Sequence, residues 1–192
     1  FTPSMKVHGD IFFNDRNLRK WKNVYNLRKR IGVVFPLPVG LPMTVYDNVS
    51  LAPRLAGIKN KVELHAIVER CLKRAALWEE VKDRLDSLGS LLSGGQQQRV
   101  GVCRALHQGG DLVLGDEPVS AVDSHQARNV LDALHEHFET VVLAMHDVEL
   151  ALSYATRIIG LQNGGIALDR PSAGLTAKDL DFLYKTSDEN HR

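Results

Sequence analysis

Cysteine, long apolar runs and net charge are all scarce in this 192-residue sequence. Its two cysteines, Cys71 and Cys103, lie far apart and make neither a CxxC pair nor a ligand cluster, so reduced thiols in a cytosolic setting are expected. No stretch reaches the ~18 apolar residues of a membrane-crossing helix, because charge or glycine cuts every hydrophobic segment. A formal net charge of +1 makes no electrostatic case for nucleic acid as a partner. The run Arg16, Arg19, Lys20, Lys22, Arg28, Lys29, Arg30 is basic, yet a solvated face or an acidic partner accounts for it as well as phosphate does. The chain opens on Phe1 without a secretory signal, which leaves a fragment, a processed chain or a gene lacking its start as open readings. Internal repeats and low-complexity segments are absent as well.

What is present is an ordinary globular composition, 44% apolar and 24% charged, enough for one domain with a buried core. Lys6–Phe13 reads as a short strand pair ending in the turn-prone Asn14-Asp15, and Ile31–Phe35 as a buried strand. Pro36, Pro38 and Pro42 forbid regular structure until about Thr44. Helical spacing of Leu64, Ile67, Val68, Cys71, Leu72, Ala75 and Trp78 predicts a helix over Val62–Trp78, extended through Val81–Leu88. From Ser93 the pattern alternates. Helices are expected at Ser93–Gln108, Ser124–Phe138 and Val148–Ala155, and strands at Asp111–Gly115, Thr140–Met145 and Arg157–Leu161, the last with a turn at Asn163-Gly164-Gly165. Such alternation implies an α/β fold with parallel strands and covering helices.

Leu114-Gly115-Asp116-Glu117-Pro118 delivers two adjacent carboxylates to a strand's C-terminal end, where ligands collect in open α/β sheets. One reading has Asp116 holding Mg²⁺ through its water shell and Glu117 facing an attacking water; a plain strand-ending acidic turn is the other. His146 follows the next strand, where it would converge on the same phosphate; a plain core or surface histidine is the other reading. Leu92-Ser93-Gly94-Gly95-Gln96 opens a helix with a capping serine and two glycines, so free amides and the positive helix end present an anion-binding surface. Gln97, Gln98 and Arg99 are expected to build helical surface and contacts between subunits. His135 and His137 are two apart and share no helix face, so they make no metal motif. Trp21 and Trp78 read as packing residues rather than base-stacking ones.

Taken in order, Leu92–Arg99, Leu112–Pro118, Ser120-Ala121-Val122-Asp123 and His146 resemble the signature, Walker B strand, D-loop and switch histidine of ABC ATPases. Pro42–Val49 and Ala75–Leu85 are similar to the phosphate-importer subgroup of that family. The resemblance extends from about Val7 to the C-terminal region. It implies a P-loop NTPase-like α/β domain with a mostly parallel sheet, a helical subdomain at about 45–92, and a core portion at 93–170. It also implies ATP and Mg²⁺ as cofactors, bound between two ATPase subunits arranged head to tail. Asp116 would then serve the metal, Glu117 and His146 catalysis, and Ser93, Gly94, Gly95 and Gln96 would cover ATP held by the partner. Asp123 would link the two faces. Transmembrane permease subunits would hold the protein peripherally on the cytoplasmic side of the membrane, with a solute-binding protein involved indirectly. DNA-repair and ribosome-associated relatives would need long inserts, paired ATPase halves or a strong nucleic-acid surface, none of which the sequence carries.

The resemblance also sets expectations of loss. No GxxxxGK[ST] occurs in the 192 residues; in the family that P-loop lies upstream of the segment matching Phe1–Phe13, and the adenine-stacking segment further upstream. A chain truncated in this way is expected not to hydrolyse ATP normally. Pro36 stands where the family has its Q-loop glutamine, and no glutamine precedes Gln96. Gly115, Gly101, Val119 and Ala144-Met145 depart from the pattern too. A non-catalytic docking or regulatory fragment, or a nonfunctional gene fragment, stands as the rival to a transport ATPase.

Overall fold

The computed structural model describes residues 8–36 and 41–184, so Lys6, Val7 and Pro38 of the sequence reading lie outside the described residues. Strands β1 (Phe12–Phe13) and β2 (Arg16–Asn17) pair antiparallel across Asn14-Asp15, whose φ values of 47° and 58° are those of a tight hairpin loop. The strand pair therefore straddles this turn rather than ending at it. A short helix α1 (Val24–Arg28) leads into β3 (Ile31–Val34).

After the prolines, Thr44 caps α2 (Val45–Leu55) by accepting from the Asp47 N–H at 2.9 Å. Asn60 caps α3 (Lys61–Arg74), which ends four residues before the expected Trp78. Its stop carries no glycine or proline. Ala76 takes φ 50°, while its N–H donates to Lys73 O and that of Leu77 to Leu72 O, closing the helix end. The single turn α4 (Trp78–Val81) and a 3-10 turn at Lys82–Arg84 follow, in place of one continuous helix.

Ser93 caps α5 (Gly94–Gln108), and Gly109 stops it at φ 65°. Then come β4 (Leu112–Asp116), α6 (Ser124–His137), β5 (Thr140–Ala144) and α7 (Val148–Tyr154), the last capped by Asp147. The three strands β3-β4-β5 form a parallel sheet in that order, with Gly32, Val113 and Val141 in one row and Val33, Leu114 and Val142 in the next. Helices α5 and α6 pack on the face that buries Val34 and Val113. On the other face the row Val33, Leu114, Val142 is exposed, so the helices expected to cover the sheet cover one side of it among the described residues.

The strand β6 (Arg157–Gln162) does not join this parallel sheet. It folds back through Asn163-Gly164 onto β7 (Gly165–Pro171) as a separate antiparallel pair, because two successive left-handed residues, at φ 52° and 77°, favour a hairpin over a crossover. A short α8 (Ala177–Leu180) follows. One hydrophobic core runs from Val45, Val49 and Leu72 through Val102 and Val113 to Leu134, joining the helical portion to the sheet portion. Helix α5 makes that join, since it touches α2, α3, α6 and β3. Both cysteines are free and buried; the Cys103 thiol donates to Cys71 O at 3.3 Å, and burial pushes both thiols up from their ordinary range.

Candidate functional site

Asp116 is the last residue of β4, level with Ala144 of β5, and its carboxylate is exposed on the same side of the sheet as Leu114. Gly115 beside it sits in a tight spot: a Cβ there would come 2.7 Å from Leu143 Cδ2 and 3.2 Å from Pro118 Cγ, so the leucine would have to shift. Glu117 then leaves the strand in the left-handed region, φ 49°, with its N–H donating to Ala144 O at 2.9 Å. A non-glycine residue held there is strained, and the hydrogen bonds around it fix it in place. His146, two residues past the end of β5, brings Nε2 to 3.5 Å from Glu117 Oε1. The histidine side chain is 86% exposed and the glutamate 21%. The structure thus brings Asp116, Glu117 and His146 to neighbouring strand ends, as parallel pairing of β4 and β5 dictates.

Gln98 holds this loop from behind. Its Nε2 donates to Glu117 O at 2.6 Å, and its Oε1 accepts from the Ala121 N–H at 3.2 Å. At 1% exposure it is among the most buried polar side chains, and Arg99 at 4% is scarcely less so. The expectation that Gln98 and Arg99 form helical surface is therefore corrected. Gln98, Val102 and Ala105 follow one another on one face of α5 at spacings of four and then three residues, and that spacing is the signal that places Gln98 inward.

At the start of α5, Ser93 and Gln96 form a capping box: Ser93 Oγ accepts from the Gln96 N–H at 3.4 Å and Gln96 Oε1 from the Ser93 N–H at 3.1 Å. Gly94 faces open space. Gly95 does not, because a Cβ there would overlap the Ala121 carbonyl oxygen. Of the two glycines, the first leaves the helix entrance clear for an anion and the second lets it pack against the loop carrying Glu117. Asp123 is the N-cap of α6, accepting from the N–H groups of His125 and Gln126 at 3.0 and 2.9 Å.

Glu80, which sequence reasoning passed over, joins this assembly. Its carboxylate accepts from Arg99 Nη1 at 2.6 Å, Arg99 Nη2 at 3.1 Å and Gln96 Nε2 at 2.7 Å. The Arg99 guanidinium, and then Gln96, hold its carboxyl below the usual range. Part of the basic run folds onto its own aromatics: Arg16 lies 4.6 Å over Trp21, and Arg30 pairs with Asp111.

The sequence profile described as ABC transporter matches residues 2–120. The phosphate import ATP-binding protein of Thermotoga maritima is 38% identical over 190 residues, covering 93% of this chain and 75% of that protein. The chain belongs to the ABC transporter family. The phosphate import ATP-binding protein of Staphylococcus saprophyticus is 39% identical over 165 residues, 84% of this chain and 57% of that one. Among solved structures of the family, a dimeric ATP-binding cassette in a post-hydrolysis state with ADP and phosphate superposes with a TM-score of 0.76 at 29% identity. It covers 88% of this chain and 75% of the other. A bacterial Atm1-family ABC exporter with ATP bound shares the fold, with a TM-score of 0.77 at 21% identity over 96% of this chain and 32% of the exporter. The fold is that of the family's α/β ATPase domains.

The family implies ATP and Mg²⁺; the carboxylates present suit the metal, while the GxxxxGK[ST] loop that grips nucleotide phosphates does not occur in the 192 residues. A Mg²⁺ ion that keeps most of its water needs one or two carboxylates beside the phosphate oxygens. Exposed Asp116, with Glu117 next to it, offers that set, and among the described residues no group of three or more His, Cys, Asp or Glu forms a metal cage. The open space beside Gly94, with nothing within 4 Å of where a Cβ would lie, leaves room for a phosphate oxygen at the helix entrance. Among the described residues no helix is long and apolar enough to cross a membrane.

Proposed function

We propose that this chain is the ATP-binding subunit of an ABC importer for inorganic phosphate. It would work against a second ATPase subunit and dock on permease subunits at the cytoplasmic face of the membrane, with a solute-binding protein bringing the cargo. The observation that carries this reading is the meeting of Glu117 and His146 at adjacent strand ends, on a loop that Gln98 ties to the helix with the open entrance. Glu117 would orient the attacking water and take its proton, and His146 would donate to a terminal phosphate oxygen. Asp116 would hold Mg²⁺ through water, and a bound ion would neutralise charge on the phosphate oxygens. Ser93, the Gly94 and Gly95 amides and the entrance held by Gln96 would close over nucleotide on the partner, with Asp123 fixing the helix at the seam.

A second reading, a docking or regulatory polypeptide that keeps these surfaces, is favoured by one sequence fact: Pro36 stands where the family's glutamine is expected. On either reading, purified Phe1–Arg192 alone is expected to show no magnesium-dependent ATP turnover. Turnover abolished by Glu117→Gln would overturn that expectation. Mixed with an intact phosphate-import ATP-binding subunit, the chain is expected to form an ATP-dependent heterodimer in analytical ultracentrifugation, and Ser93→Arg should prevent it. Absence of that heterodimer where the intact subunit pairs with itself would sink the transporter reading.

A further inference from the structure

His146 stands between two fixed elements without belonging to either: β5 ends at Ala144, and α7 starts at Val148 behind its cap Asp147. Its side chain is 86% exposed and reaches Glu117 Oε1 at 3.5 Å. Among the described residues one hydrogen bond reaches its backbone: the Tyr184 hydroxyl donates to His146 O at 3.5 Å. Tyr184 closes a C-terminal segment that brackets α7. Beyond the last turn of that helix Ser172 is fixed, its N–H donating to Thr156 O at 3.0 Å and its hydroxyl to Ala155 O. From there Leu175 and Leu180 turn into the interior, and the Thr176 N–H and hydroxyl donate to Asp179 Oδ2 at 2.8 and 2.7 Å to start α8. A 3-10 turn, Asp181–Tyr184, then lies against β6. Gln162 Nε2 donates to Phe182 O at 2.9 Å, and Leu183 occupies the space that Gly160 leaves, where a Cβ would come 2.6 Å from Leu183 Cδ1. The segment is thus pinned at the C-cap of α7 and reaches the residue before its N-cap.

We propose that Tyr184 is a positioning residue for His146: from the turn seated on β6, its hydroxyl fixes the peptide that carries the imidazole to Glu117. An exposed ring has little packing to place it, so the position of its Nε2 follows that of its own backbone. On either side that backbone is secured, since Ala144 O accepts from the Glu117 N–H and Asp147 Oδ1 from the Leu150 N–H, both at 2.9 Å. Met145 and His146 lie between those ties, and the tyrosine hydroxyl is what holds the second of them. Tyrosine suits the task, because a rigid ring with two side-chain torsions loses little freedom when its hydroxyl bonds. The consequence reaches the chemistry, where a misplacement of about 1 Å caused from outside the reacting groups can cost roughly 100-fold in rate. The proposal rests on the reading of His146 as donor to a terminal phosphate. Its test uses no nucleotide, so that reading can fail in the heterodimer experiment while the order of His146 is unaffected.

The test is ¹⁵N relaxation of the backbone amides of Phe1–Arg192, as it stands and with Tyr184→Phe or Leu183→Ala, beside urea unfolding of each. In the unaltered chain His146 and Asp147 are expected at the order parameter of rigid backbone, about 0.85. Tyr184→Phe removes the hydroxyl alone. It should lower both residues below about 0.6 while Ala151 in α7 and Gly160 in β6 stay near 0.85, and the urea midpoint should not move. Leu183→Ala, which unseats the turn from Gly160, should give the same loss at His146. An unchanged His146 in Tyr184→Phe, a His146 already below about 0.6 in the unaltered chain, or a loss shared by Ala151 would each overturn the proposal. So would an effect of Leu183→Ala without one of Tyr184→Phe, since packing and not the hydroxyl would then hold the residue. If Leu183→Ala does not fold, Gln162→Met loosens the same turn from β6 and is judged by the same criteria.

Discussion

Adjacent glycines at the start of α5 are the same residue type used for different physical reasons. Gly94 has nothing within 4 Å of where a Cβ would be, whereas at Gly95 that atom would overlap backbone at Ala121. Gly94→Ala is accordingly expected to leave stability within about 0.5 kcal/mol, and Gly95→Ala to lower it by about 2 kcal/mol, since backbone yields less readily than a flexible side chain. Urea unfolding followed by circular dichroism checks both; equal effects would show that the Ala121 contact is not a constraint. Glu117 is the other informative residue. Its left-handed backbone is held by its own N–H bond to Ala144 and by the hydrogen bonds that Gln98 and Ser120 give to its carbonyl.

Among the elements, α5 carries the most consequence, because its ion pair to α4 makes the protein acid-sensitive. Arg99 lowers the carboxyl of Glu80 from its ordinary value of 4.5. The stability this adds is fully present above pH 4.5 and is lost as pH falls from there through the lowered folded value. His107 and His137 act at higher pH: burial first, then Arg70 and Arg74 respectively, lower them from 6.5, so protonation favours unfolding as pH falls below that. Two limbs of acid destabilisation are therefore expected in urea midpoints measured from pH 8 to 3. Glu80→Gln should flatten the lower limb and leave the upper one; a lower limb unchanged by Glu80→Gln would remove this account.

Most of these elements could be read in the chain order of residues. Caps at Ser93 and Asp147, the apolar faces of α3 and α6, and the carboxylate-tipped β4 all rest on local chemistry, which the sequence displays directly. What escaped reading had two causes, local backbone conformation that the sequence announces weakly and partners distant in sequence. The end of α3 at Ala76 has no glycine or proline to announce it, and β6 turned to β7 rather than joining the parallel strands. The burial of Gln98 and Arg99 depended on polar groups about 20 residues away, Glu117 and Glu80, that no local pattern connects to them. The site's carboxylates were legible and the network holding them was not.

At the scale of the molecule, the parallel sheet is sheltered on one side among the described residues. Val33, Leu114 and Val142 form a level row across all three strands and are 42%, 39% and 53% exposed, while Val113 on the opposite face is fully buried. Leu114→Thr and Val142→Thr are expected to change stability by less than about 1 kcal/mol, and Val113→Thr to cost about 2 kcal/mol by placing a hydroxyl among apolar neighbours. The first two should also reduce binding of an apolar fluorescent dye to the folded chain. Dye binding unaffected by either would mean that this row is not the accessible apolar surface.

That row also sets a temperature dependence. Association that shields it from water would carry a negative heat-capacity change, so on cooling its enthalpy would become less favourable by more than its entropy gains, and the net drive would weaken. Complexes formed through this side of the sheet should hold near body temperature and loosen on ice, the reverse of what a contact made of ion pairs alone would do.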